Sequence, residues 1–172
     1  MMLKYLGEQT RPHVVAAVSV SAPIDLARSS ERIIQPRNKL YHHWLLKSMK
    51  REALATPGLS VTESQAVATV RTIFEFDERH VAARNGFEGA RDYYTQNSAR
   101  QYLKGIATPT LIIHALNDPW IPGASYLDFD WAASARLTPL LPLDGGHVGF
   151  HDPSGSWHLR MAEKFLEERK IL

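Results

Sequence analysis

Residues Thr108–Pro119 read TPTLIIHALNDP. An unbroken apolar run of this length, with no polar alternation, is the pattern of a strand covered on both faces, as in a parallel sheet. The proline before it and the Asn-Asp-Pro after it mark where the strand starts and stops. HVVAAVSVSAP, His13–Pro23, repeats the pattern, β-branched and broken by proline. ARLTPLLPLDGG, Ala135–Gly146, is a weaker third run. Its Pro139 has no N–H to give a ladder and suits an edge strand better than a central one. The closing stretch SWHLRMAEKFLEERKIL sets Trp157, Met161, Phe165 and Leu166 among charges, which predicts a terminal amphipathic helix packed on a sheet face. The expected fold class is α/β with about three parallel strands.

Some 85 residues separate the first two strands, far more than a crossover helix needs. They read as helical, with Leu40, Trp44, Leu45 and Met49 on one face and Val67, Val70, Ile73 and Phe74 on another. TPGLS, Thr56–Ser60, breaks the two, and Ser60 or Thr62 is placed to cap the second with Glu63 or Gln65 near its first turn. The insertion is expected to form a helical cap over a strand end. Its aromatics, Trp44, Phe74, Phe76, Phe87, Tyr93 and Tyr94, are either core or the lining of an acyl pocket. Within one partial domain of residues 1–172, the expected parts are 1–25 (a helix and the first strand), 26–105 (the cap) and 106–172 (the remaining strands and terminal helix).

Composition narrows the function classes. At 172 residues, 44% hydrophobic and 22% charged, the chain suits a globular domain with a real core. A formal charge of +2, with Lys and Arg spread among acids, argues against nucleic acid as a partner. With no cysteine, a disulfide scaffold and a thiolate nucleophile are both excluded. No run of 18 apolar residues occurs, and Met1–Glu8 lacks the regions of a signal peptide. Cytoplasm is the default location, and a membrane association stays open.

Two residues carry the chemistry. Asp118 follows one predicted strand and His147, in LPLDGGHVGFHDP, follows the next, so both fall at carboxyl ends of neighbouring strands, where open α/β sheets bind ligands. An acid on one loop and a histidine 29 residues later is the acid-then-base part of a nucleophile triad in hydrolase order. The acid would accept from one imidazole nitrogen and fix the tautomer, leaving the other to take a proton. The bland alternative is a turn aspartate and an ordinary loop histidine. Asp144 is a rival acid, closer in sequence but too close on a loop to reach behind the ring. His42 with His43, and His147 with His151, have spacings that do not make a convincing metal site, and none is expected. Trp120, two residues beyond Asp118, is placed to touch substrate or to pack over the acid loop. Asp77, in FEFDERH, is expected to be a solvated or capping carboxylate that orders the cap.

MMLKYLGE, VSVSAPIDL, IFEFDERHVAARNGFEGARDYYTQNSA, TPTLIIHALNDPWIP and DGGHVGF, taken in order, resemble the successive hallmarks of the YheT-type branch of the α/β-hydrolase superfamily, also called AB hydrolase family four. The resemblance covers nearly the whole chain. It implies the C-terminal half of an α/β-hydrolase fold and assigns the triad acid to Asp118 and the triad base to His147. It also implies hydrolysis of carboxylic esters, small or lipid-like, through an acyl-enzyme and without metal or organic cofactor.

Family members carry a nucleophile elbow, Gly-x-Ser-x-Gly-Gly-Asn, just before a segment similar to MMLKYLGE. No Gly-x-Ser-x-Gly occurs in these 172 residues; Ser125 follows Gly123 but precedes Tyr126 and Leu127, and Ser156 lacks both glycines. The resemblance thus implies a fragment, a shifted start or a split gene, with the serine and the oxyanion donors outside the sequence. The alternative is a catalytically silent piece or an interaction domain. A first strand rich in valine (Val14, Val15, Val18, Val20) without its elbow-bearing neighbour is expected to self-associate through its edge.

Overall fold

Leu111, Ile112 and Ile113 are all buried because they lie on the middle strand of a parallel sheet. The computed structural model describes residues 1–171. Three strands, β1 (Ala17–Val20), β2 (Thr110–Ile113) and β3 (Leu137–Leu140), pair in the order β1-β2-β3, with Ala17 opposite Thr110 and Thr110 opposite Leu137. Pro139 lies on β3, which has one partner strand among the described residues, as its missing N–H requires. The strands are shorter than the apolar runs that predicted them, although backbone bonds between the segments continue past their ends.

Alternation along β2 sends its side chains to two cores. Ile112 joins Leu3, Leu6, Ile24, Leu103 and Tyr126 on one face, beside α1 (Met2–Glu8) and α7 (Ala124–Leu127). Leu111 and Ile113 join Phe150 and Phe165 on the other, with Val18, Val20, Trp157, Met161 and Leu166 packed around them. The last three and Phe165 come from α8 (Trp157–Glu167), the expected terminal amphipathic helix. A short two-stranded ribbon, β4 (His151–Asp152) with β5 (Gly155–Ser156), leads into α8. These elements form one compact unit, Met1–Asp25 with Ser98–Leu172.

The second compact unit, Leu26–Asn97, is helical. It runs through α2 (Leu26–Ile33), α3 (Lys39–Leu54), α4 (Val61–Thr69), α5 (Ile73–Phe76), a π-helical turn (Asp77–Ala82) and α6 (Ala90–Asn97). Ser60 caps α4 in a reciprocal capping box with Glu63, one of the two pairings the sequence allowed. Two expectations are corrected. Leu40 and Trp44 do not face the core: they are 88% and 60% exposed, while Leu46 and Ala53 are buried with Leu45 and Met49 packed beside them. The apolar residues of α3 fall on two opposite faces, so the pattern Leu40/Trp44/Leu45/Met49 mixed them. Val67, Val70 and Ile73 are buried together but not on one helix, since Val70 is extended and starts a break before α5.

Asp77 also departs from expectation. It is neither solvated nor a cap: it is 8% exposed, and its carboxylate accepts from Tyr94 Oη at 2.5 Å. Tyr94 Oη lies 3.1 Å from Ser30 Oγ, and with its single proton given to Asp77 it accepts from that hydroxyl. Phe74, Phe87, Tyr93 and Tyr94 contact one another ring to ring in the same unit. No helix among the described residues is long and apolar enough to cross a membrane.

Candidate active site

The chain leaves β2 through His114 and Ala115 and turns at Asp118, whose N–H donates to the Ala115 carbonyl. Before that turn, Leu116 and Asn117 continue the ladder toward the segment after β3, donating to the carbonyls of Pro142 and Leu143. Asn117 then ties the two loops through its side chain. Its amide donates to Asp144 Oδ1 at 2.8 Å, and its carbonyl oxygen accepts from the Gly146 N–H at 2.9 Å. Asp144 is thereby occupied as a loop brace.

Gly145 and Gly146 make the tight turn that brings the next residue back over the sheet. Both have positive φ, +152° and +56°, and a Cβ at Gly145 would lie 2.5 Å from the Phe150 ring. His147 arrives with Nδ1 2.9 Å from Asp118 Oδ2. The other carboxylate oxygen of Asp118 accepts from the backbone N–H groups of Trp120 at 2.8 Å and Ile121 at 3.0 Å. Asp118 is 1% exposed and fully served, while the His147 side chain is 29% exposed. Burial alone would raise the Asp118 carboxyl, but the bonds from His147, Ile121 and Trp120 outweigh it and hold the group below the usual carboxylate range. A charged Asp118 makes Nδ1 the protonated nitrogen of a neutral His147, so Nε2 is left as the basic one.

Two further residues belong to this arrangement and were not found from sequence. His114 is fully buried, stacked on Tyr126 with ring centroids 3.9 Å apart, and neither of its nitrogens makes a well-formed hydrogen bond among the described residues. Burial pushes its pKa down to about 4 against the pull of Asp118, so it stays neutral. It stands 3.9 Å from Asp118 Oδ2, too far to compete with His147. The only hint in the sequence was a histidine inside an apolar run, four residues before the acid. Ser21, just past β1, is the second. It has φ +49°, and its hydroxyl donates to the His147 carbonyl, pinning the histidine loop to the end of β1. Left-handed backbone at a non-glycine residue costs about 1–3 kcal/mol and persists where the surroundings over-determine it. Trp120 touches the acid through its N–H and the base through its ring, 4.7 Å from that of His147 at 58°. Among the described residues no group of three His, Asp or Glu is arranged to hold a metal. His42 accepts from the Ile73 N–H.

Loops at the carboxyl ends of adjacent parallel strands thus carry a buried aspartate bound to a histidine. No family model matches the chain. The putative esterase YheT of Escherichia coli (strain K12) is 37% identical over 141 residues, covering 80% of this chain and 41% of that protein. A monoacylglycerol lipase of Saccharomyces cerevisiae is 33% identical over 181 residues, covering 97% of this chain and 40% of its own length. The human monoacylglycerol lipase ABHD2 is 25% identical over 173 residues, covering 90% and 40%.

The chain belongs to the α/β-hydrolase superfamily. It spans about two fifths of the length of the relatives it matches. The part of the hydrolase fold present is the parallel sheet whose strand ends hold Asp118 and His147. Three serines lie near the strand ends of this unit. Ser19 is buried on β1, Ser21 is engaged with the His147 carbonyl, and Ser125 is fully buried on α7.

Proposed function

We propose that this chain supplies the acid and base of a serine-type carboxylic-ester hydrolase, with the nucleophile on a serine that the 172-residue sequence does not include. The observation that carries the reading is the 2.9 Å contact between His147 Nδ1 and a buried, triply hydrogen-bonded Asp118. In this mechanism His147 Nε2 takes the proton of the serine hydroxyl as it attacks the ester carbonyl. The imidazolium that forms is stabilised by charged Asp118, and it returns the proton to the leaving alcohol as the acyl-enzyme appears. Water then repeats the sequence: His147 removes its proton, the acyl group leaves as carboxylic acid, and the serine is reprotonated.

Trp120 holds the ring of His147 from the side and forms part of the substrate rim. The relatives' names, an esterase and monoacylglycerol lipases, support an ester substrate with a lipid-like acyl group. The test is a pair of measurements. The 172-residue chain alone should hydrolyse p-nitrophenyl esters no faster than its His147→Ala form. A protein that also contains an elbow serine should react with a fluorophosphonate and lose that reactivity on His147→Ala. His147-dependent turnover by the isolated chain would overturn the assignment of the nucleophile to a serine outside it.

A further inference from the structure

Helix α3 shows two faces of different character. Inward it presents Leu45, Leu46, Met49 and Ala53 to the core of the helical unit. Outward it carries Leu40, His43, Trp44, Lys47, Arg51 and Leu54, spaced so that all fall within a stripe about 100–120° wide at 3.6 residues per turn. All six are exposed, and no carboxylate stands on the stripe; Glu52, the helix's one acid near its end, falls on the flank. A single exposed leucine needs no explanation, but a row of Leu, Trp and Leu interleaved with cations does.

A second observation lies against the same helix. A cleft of about 520 Å³ is walled by His43, Lys47, Lys50 and Arg71 over a floor of Leu46 and Val70. Lys50 Nζ is held at its edge by the carbonyls of Ala68 and Val70, at 2.6 and 3.0 Å. His43 and Lys47 belong to both cleft and stripe, so the two form one surface: a basic recess beside an apolar ridge.

We propose that this surface docks on an anionic lipid layer, with α3 lying in the plane of the interface. Leu40 and Leu54 enter the acyl boundary, Trp44 sits at headgroup level, and Lys47 and Arg51 meet the negative surface, while the cleft receives a lipid phosphate. Charge decides the occupant: a stripe of cations without acids cannot pair with a second copy of itself, whereas an anionic bilayer complements both the cations and the apolar ridge. The proposal does not rest on ester hydrolysis, since its readout is partitioning and not turnover.

The test is co-sedimentation of the 172-residue chain with phosphatidylcholine vesicles made with and without phosphatidylglycerol. Binding is expected to the anionic vesicles, to weaken as salt rises, and to fall about 30-fold in the double variant Lys47→Gln, Arg51→Gln, near fivefold for each cation close to the surface. Trp44→Phe should remove the vesicle-induced blue shift of the fluorescence, and Leu40→Asn should weaken binding at every salt concentration. Far-UV circular dichroism confirms that each variant keeps its helices, which exposed positions allow. Failure of the folded chain to bind anionic vesicles would overturn the proposal. So would binding indifferent to these variants, a dimer that Trp44→Ala dissolves and vesicles leave intact, or full competition by a duplex oligonucleotide with no effect of Leu40→Asn.

Discussion

Among the described residues two aspartates are buried, one in each compact unit, and their carboxyl groups are shifted in opposite directions for a countable reason. Asp118 receives three hydrogen bonds, from His147 and from the N–H groups of Trp120 and Ile121, and is held below the usual carboxylate range. Asp77 is also buried but receives one, from Tyr94, and burial pushes it up to about 6. Burial is common to both, so it does not decide the direction of the shift. The supply of donors does, and the loop after β2 is shaped to provide them, whereas the π-helical turn around Asp77 turns its backbone N–H groups to its own helix.

The largest difference between the two aspartates is expected in catalysis. In an enzyme that contains both this chain and its nucleophile, Asp118→Asn should keep the fold and lower kcat by about four powers of ten, because the histidine takes the wrong tautomer. Asp77→Asn should change kcat by less than tenfold. Steady-state kinetics on both variants checks the ranking, and equal losses would mean that Asp77 also acts on the histidine.

The next largest effect is expected in stability against pH, where His114 titrates as well as Asp77. Its folded pKa of about 4 lies below the ordinary 6.5, so the unfolded chain binds the extra proton first. The stabilisation is therefore complete above pH 6.5 and is lost as pH falls toward 4, by on the order of 3 kcal/mol. His114→Phe keeps the stack on Tyr126 and should remove this loss. Asp77 has the opposite sign. With its folded pKa raised from 3.8 to about 6, stability is full below pH 4 and declines by on the order of 3 kcal/mol as pH rises through 6. Urea unfolding of wild type and Asp77→Asn at pH 4 and pH 8 should show the difference between them changing by that amount. A pH-independent difference would mean that folding does not shift the Asp77 carboxyl.

Smaller effects probe the loop that delivers His147. Gly145→Ala forces a Cβ to within 2.5 Å of the Phe150 ring at positive φ and should cost about 1–3 kcal/mol in thermal unfolding. Smallest is Asp144→Asn. It retains an acceptor for the Asn117 amide, so stability should move by less than about 0.5 kcal/mol and kcat by only a few-fold. A loss near that of Asp118→Asn would transfer the acid role to Asp144.

The strands, the terminal helix, the α4 capping box and the pair Asp118 and His147 were legible in the sequence. Each rests on local chemistry: uninterrupted apolar runs between prolines, a Ser-x-x-Glu spacing, a paired glycine before a histidine. The buried face of α3 was not legible, because apolar residues occupy both of its sides and periodicity alone cannot rank them. Only the packing of Leu46 and Ala53 against Val67 and Phe76 separates the core side from the outward stripe. The charge state of Asp77, the neutral stack of His114 and the clamp of Ser21 on the His147 carbonyl were likewise decided by tertiary structure. A side chain's pKa and hydrogen bonds depend on which groups from distant parts of the chain surround it, and Tyr94, Tyr126 and His147 reach these three residues from positions 17, 12 and 126 residues away.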